Sequence, residues 1–184
     1  MTRRFVRWQF LLAAMAVLSL VIAAQENRSY RELPNFHQVN ENLYRGAQPQ
    51  RGALKKLSEL GIKTVINLRG ASEDTRDEQA EAEASGMRYF NIPMSALGRP
   101  TDEQVERALA VIDARDNWPV FVHCQRGADR TGVIIAVYRI LRDQWTAEQA
   151  IDEAKRLGMA GIQFRKKDYI SDYYKRRRDA QRRP

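Results

Sequence analysis

Apolar residues recur along this chain in two rhythms: short β-branched or aromatic runs, and stretches in which every third or fourth position is apolar. The short runs cover residues 64–68, 88–92 and 120–122, with a further short strand near Leu43 and Tyr44, and such residues suit a buried pleated surface. Helical spacing puts Leu54, Leu57 and Leu60 on one face of residues 51–60, which Gly61 then stops. Residues 72–85 read as a polar, acid-rich helix ended by Gly86, and residues 102–115 as an amphipathic one with Val105, Leu109 and Ile112 in a stripe. Residues 131–143 are apolar on most sides, which predicts a buried helix. Residues 146–157 open with a capping pattern, Thr146 to Gln149. Ile162, Phe164, Tyr169, Ile170, Tyr173 and Tyr174 again fall at helical spacing and predict a last helix packed on the domain. Strands alternating with helices imply a single α/β domain: a central, mostly parallel sheet of about four to five strands with helices on both faces and a ligand at the strand C-terminal ends.

The two ends of the chain differ from its body. Arg3, Arg4 and Arg7 precede fifteen residues, 10–24, in which Ser19 is the only polar one. That is a charged n-region followed by an apolar h-region. Residues 1–24 are therefore expected to be a signal peptide or an N-terminal membrane anchor, 25–34 a polar linker, 35–174 the domain and 175–184 a basic tail. Either fate of the first segment exports the domain or holds it at the membrane. The formal charge of +8 belongs to the ends: +3 at the N-terminus and +6 after residue 164, so the residues between them carry −1. An anionic membrane surface can engage those ends, whereas no aromatic platform or known motif supports nucleic-acid binding. With one cysteine among 184 residues the chain forms no internal disulfide.

That cysteine stands where the chemistry concentrates. Val120, Phe121 and Val122 lead into His123 and Cys124; Gln125, Arg126, Gly127, Ala128 and Asp129 follow, then Arg130, Thr131 and Gly132. A loop between a buried strand and a helix N-terminus turns its backbone N–H groups toward one point, and with the helix dipole these bind an anion. The same groups lower a thiol's pKa and so make Cys124 a nucleophile. Arg130 closes the loop with a planar fork able to grip two phosphoryl oxygens, which a lysine cannot do. The Thr131 hydroxyl is placed to hydrogen-bond the sulfur and stabilise it as it leaves. Gly127 and Gly132 suit a tight turn and a close backbone approach.

His-Cys, five residues and Arg-Thr-Gly resemble the signature of the cysteine-dependent protein tyrosine and dual-specificity phosphatases. Three upstream segments resemble the same superfamily: Asn42 to Pro49, Gly61 to Arg69 and Tyr89 to Met94. They are most similar to its compact atypical dual-specificity branch of bacteria, plants and fungi. The resemblance implies a phosphomonoester hydrolase that needs no cofactor or metal: Cys124 attacks phosphorus, the N–H groups of residues 125–130 and the Arg130 side chain hold the oxygens, and water cleaves the cysteinyl-phosphate. Two rivals are a non-catalytic phosphate-binding module and a sulfur-transfer enzyme of the rhodanese type; Arg130 and Thr131 argue against the second.

The proton donor is open at this stage. The better-known branches carry an aspartate in the stretch that here reads Ile92 to Leu97, which holds no carboxylate. Asp129 and Asp102 remain, in that order. A carboxyl beside a thiolate and a bound dianion is favoured to keep a deliverable proton, and some bacterial members have an aspartate at the position of Asp129. Salt bridging is the plain alternative for Asp129. For Asp102 it is helix capping, with Thr101 and Gln104 forming a capping box. His123 is expected to orient the loop from the core rather than act as a base. Arg126 adds charge at the mouth and favours a polyanionic ester, such as an inositol phosphate or phosphoinositide, beside a phosphorylated protein; inositol pyrophosphate phosphatases of this branch have a similar loop start.

Overall fold

Five short strands carry the architecture, each four residues long in the computed structural model, which describes residues 30–70 and 75–182. In chain order the elements are β1 (His37–Asn40), β2 (Leu43–Gly46), α1 (Leu54–Glu59), β3 (Thr64–Asn67), α2 (Arg76–Ala84), β4 (Arg88–Asn91), α3 (Asp102–Asp113), a 3-10 turn (Arg115–Asn117), β5 (Val120–His123), α4 (Asp129–Arg142), α5 (Ala147–Arg156) and α6 (Phe164–Arg182). The sheet order is β1-β2-β5-β3-β4, antiparallel only between β1 and β2. The last strand in sequence is thus the middle strand of the sheet. Its four residues are fully buried, as expected for a parallel strand covered on both faces.

The period of two sorts the core. Val120, Val122 and Ile66 point into the main cluster with Val105, Leu109 and Ile112 of α3, Val133 to Val137 of α4, and Tyr169 and Ile170 of α6. Phe121 and His123 point the other way: their rings stack at 5.5 Å, and His123 reaches Glu78 of α2. Helices therefore cover both faces, as the alternation of elements predicts. Thr101 and Thr146 cap α3 and α5 through the capping boxes expected for them.

Several boundaries differ from the sequence reading. β1 is a polar edge strand with no apolar signal, so periodicity gave no reason to place it. α1 starts at Leu54 rather than 51, because Gly52 takes a positive φ that breaks the turn. The expected linker 25–34 is packed from Arg31 onward: Leu33 is buried, and the Pro34 carbonyl accepts from Ala47 N–H. Ile162 and Phe164 are exposed instead of packed. Residues 175–182 form no separate solvated tail, since α6 continues to Arg182, with Arg176 paired to Asp102 and Arg178 lying over Tyr174. The expected signal peptide or anchor, 1–24, lies outside the described residues. Among the described residues no helix is long and apolar enough to cross a membrane.

Candidate active site

Residues 124–128 connect β5 to α4, and every carbonyl from 123 to 128 is held by a donor outside the cradle or by the helix. His123 O accepts from Leu68 N–H (2.9 Å), Gln125 O from Gln48 N–H (3.3 Å) and Ala128 O from Gly132 N–H (2.8 Å). Arg126 O accepts from Asn35 Nδ2 (3.0 Å) and Gly127 O from Arg45 Nη2 (2.6 Å). His123 Nδ1 faces Cys124 O at 3.4 Å. With the carbonyls turned outward, the N–H groups turn inward. No side chain caps the start of α4, so its first-turn donors and dipole also face the cradle.

Gly127 is required by this geometry. Its φ is +65°, and a Cβ there would stand 2.4 Å from Gly46 C and O. The end of β2 thus packs directly on the loop.

Cys124 is 2 % exposed, and its pKa is lowered. Burial alone pushes a thiol up; the Thr131 hydroxyl, the N–H groups of Thr131 and Arg126, and the Arg130 charge outweigh it. Thr131 is fully buried, and its hydroxyl has no partner besides the sulfur among the described groups. Arg130 is 6 % exposed, and its Nη1 donates to Leu68 O at 3.3 Å, which fixes the guanidinium beside the loop. The strand, the turn and the helix therefore bring Cys124, residues 125–128, Arg130 and Thr131 together as one cradle.

The two aspartates fare differently. Asp129 stands in the first turn of α4, buried, with Oδ1 accepting from Ala160 N–H at 3.0 Å and Oδ2 paired with Arg126. Arg126 itself is an exposed guanidinium at the mouth. Asp102 is the first residue of α3; its Oδ1 accepts from Tyr169 OH (2.7 Å) and Arg176 Nη2 (2.8 Å), and its side chain is largely exposed. The structure holds Asp129 within the Cys loop's own helix turn and ties Asp102 to α6.

Three buried charges around the loop escaped the sequence reading. Arg45 on β2 is 1 % exposed; burial pushes its pKa down to about 10, against the pull of Glu153 and the Cys124 charge. Only its Nη2 is satisfied among the described residues. Glu78 on α2 places Oε1 2.6 Å from His123 Nε2, while Gln48 and Asn67 donate to Oε2 (2.9 and 2.8 Å). Burial pushes the Glu78 carboxyl up, but the bond and charge of His123, with Gln48 and Arg69, hold it below its ordinary value. Lys166 on α6 has no exposed surface. Arg45 lies inside a segment the sequence singled out, but Glu78 looks like any acid of a polar helix and Lys166 like any member of a basic run.

Comparison with known proteins agrees with this geometry. Residues 17–172 match the family described as DSP-PTPase phosphatase fused to NAD+ kinase. The chain is similar to the dual specificity protein phosphatase TpbA of Pseudomonas aeruginosa, 31% identical over 125 residues, covering 67% of this chain and 55% of that one. It thus spans about half the length of that relative. It is also similar to the inositol diphosphatase DSP5 of Arabidopsis thaliana, 26% identical over 152 residues, covering 76% of this chain and 70% of that one. The crystal structure of P. aeruginosa TpbA superposes with a TM-score of 0.66 at 26% identity, over 79% of this chain and 88% of that one.

Proposed function

This chain belongs to the dual-specificity family of cysteine-dependent phosphatases, and from that premise we propose that it hydrolyses phosphomonoesters through a cysteinyl-phosphate intermediate. The observation that carries the reading is the outward anchoring of every loop carbonyl around a thiol whose pKa is lowered. In the first step the Cys124 thiolate attacks phosphorus, the phosphorus–oxygen bond to the leaving group breaks, and that oxygen takes a proton. In the second, water attacks phosphorus, the sulfur–phosphorus bond breaks, and the sulfur leaves as a thiolate stabilised by the Thr131 hydroxyl. The inward N–H groups and Arg130 hold the equatorial oxygens in both steps.

Asp129 serves as the proton donor in this reading. An incoming dianion competes for Arg126 and so frees Asp129 Oδ2, which lies in the same turn as Arg130. Asp102 ranks second, because Tyr169 and Arg176 already occupy its carboxylate.

The substrate class is a phosphorylated protein or a small polyanionic phosphate ester. The exposed Arg126 at the mouth favours the polyanion, as does similarity to a relative named an inositol diphosphatase. On its sequence pattern the 1–24 segment exports the domain or anchors it at the membrane, where the basic end of α6 adds attraction to anionic lipid. Fractionation of tagged protein checks the placement, and recovery wholly in the soluble cytoplasmic fraction contradicts it.

The direct test of activity is turnover of nitrophenyl phosphate in EDTA. Turnover abolished by Cys124→Ser supports the hydrolase. A wild-type protein that binds phosphate without turnover is a binding module, and a persulfide on Cys124 marks sulfur transfer.

A further inference from the structure

The buried lysine on the first turn of α6 uses all of its donors. Lys166 Nζ donates to Ala96 O (2.7 Å), Gly98 O (3.2 Å) and Gln163 Oε1 (3.0 Å). Neutral oxygens satisfy its hydrogen bonds but not its charge, and a buried ammonium without a counter-ion is costly. No carboxylate stands within ion-pair distance of it among the described residues. Burial lowers its pKa, and the charges that act on it are those of the site: Asp129 and Cys124 raise it, Arg130 lowers it.

The segment it holds is the one that walls the cradle next to Arg130. Met94 N–H donates to Leu68 O, the same carbonyl that accepts from Arg130 Nη1. Pro93 O accepts from Gln104 Nε2 at 2.7 Å, and Ser95 Oγ accepts from Gly98 N–H at 2.8 Å. Lys166 closes the far end by gripping the carbonyls of Ala96 and Gly98. This loop carries no carboxylate to deliver, and its hydrogen bonds fix it in place.

We propose that Lys166 is a positioning residue for the reaction: it ties the 95–98 loop to α6 beside Arg130 and sets a buried positive charge where it favours the anionic sulfur. The inference rests on the reading of Cys124 as a thiolate nucleophile. Interaction between two charges is mutual, so the Cys124 charge that raises the lysine implies a lysine that lowers the thiol. Facing the sulfur are also Arg45 from β2, Asp129 and Arg130 from α4, and His123 behind it on β5.

The test is the rate of alkylation of Cys124, the chain's one cysteine, by iodoacetamide across pH, set beside nitrophenyl phosphate kinetics on the full chain. Lys166→Met is expected to raise the alkylation midpoint by about one pH unit and to lower kcat at least about tenfold. Lys166→Arg brings the midpoint back toward wild type. Lys166→Gln keeps donors without the charge and carries the test should the methionine variant not fold. A folded Lys166→Met or Lys166→Gln with wild-type alkylation and wild-type kcat overturns the proposal. Because alkylation needs no turnover, an ordinary alkaline midpoint in the wild type itself sinks the hydrolase reading instead, so the two failures are distinct.

Discussion

Glu78 Oε1 lies 2.6 Å from His123 Nε2, joining a carboxylate on α2 to the residue that precedes the sulfur. His123 is fully buried and its other ring nitrogen faces Cys124 O, so the pair fixes the strand end from which the loop departs. The arrangement explains why a histidine on a buried strand needs no catalytic role: its partners position the loop.

Glu78→Gln is expected to destabilise the protein by about 1–3 kcal/mol, the cost of leaving a buried polar group poorly matched. The pH dependence has a definite sign. The folded-state pKa of Glu78 is lowered from 4.5, so its contribution is complete above that value and is lost as pH falls through the lower, folded one. Chemical denaturation between neutral and acidic pH should show the wild type losing stability over that window and the variant losing less. Parallel curves for the two proteins contradict the assignment.

Gly127→Ala should damage the site more than a methyl group usually does. The positive φ costs about 1–3 kcal/mol for a non-glycine residue, and the new Cβ would meet the backbone of Gly46, which cannot swing aside as a side chain can. We expect a fall in kcat of at least about tenfold. Gly132→Ala meets the flexible end of Met159 and should cost far less. Equal effects of the two substitutions would show that the close approach of β2 to the loop is not what the cradle needs.

Asp129→Asn and Asp102→Asn separate the proton donor from the structural acid. An alkyl leaving group needs a proton and a nitrophenolate much less, so loss of the true donor slows the alkyl substrate by about 10²–10⁴ and the nitrophenyl one only slightly. Asp129→Asn is expected to show that difference. Asp102→Asn should instead alter stability through Tyr169 and Arg176. A leaving-group effect in neither variant removes both candidates.

Oxidation follows from the same thiol. A thiolate with no second cysteine has no intramolecular resolving partner, so peroxide carries it to sulfenic acid and onward. Mild peroxide should abolish nitrophenyl phosphate turnover, with recovery in thiol reductant only at early times. Activity indifferent to peroxide would point to a neutral thiol.

Much of this was legible because the signals are local. The β-branched runs placed β3, β4 and β5, and the two threonine-glutamine boxes placed α3 and α5, since each depends on residues within one turn or one strand. The spacing from Cys124 to Arg130 likewise fixed a loop whose ends are close in sequence. What stayed hidden depends on tertiary pairing. β1 exists because it finds the edge of β2, not because its four residues favour a strand. Glu78 gains meaning only when α2 lays it on His123, and Lys166 only when α6 brings it under Ala96 and Gly98. Periodicity also misplaced Ile162 and Phe164, whose spacing suits a packed face that the start of α6 does not offer.

The central claim is that the sulfur of Cys124 bonds to phosphorus during turnover, and rapid acid quench with peptide mass analysis reads that bond directly. The account predicts one phosphoryl group on the peptide containing Cys124 in the wild type, absent in Cys124→Ser. A wild-type protein that turns over phosphate ester while that peptide stays unmodified, or carries the phosphoryl group elsewhere, contradicts it.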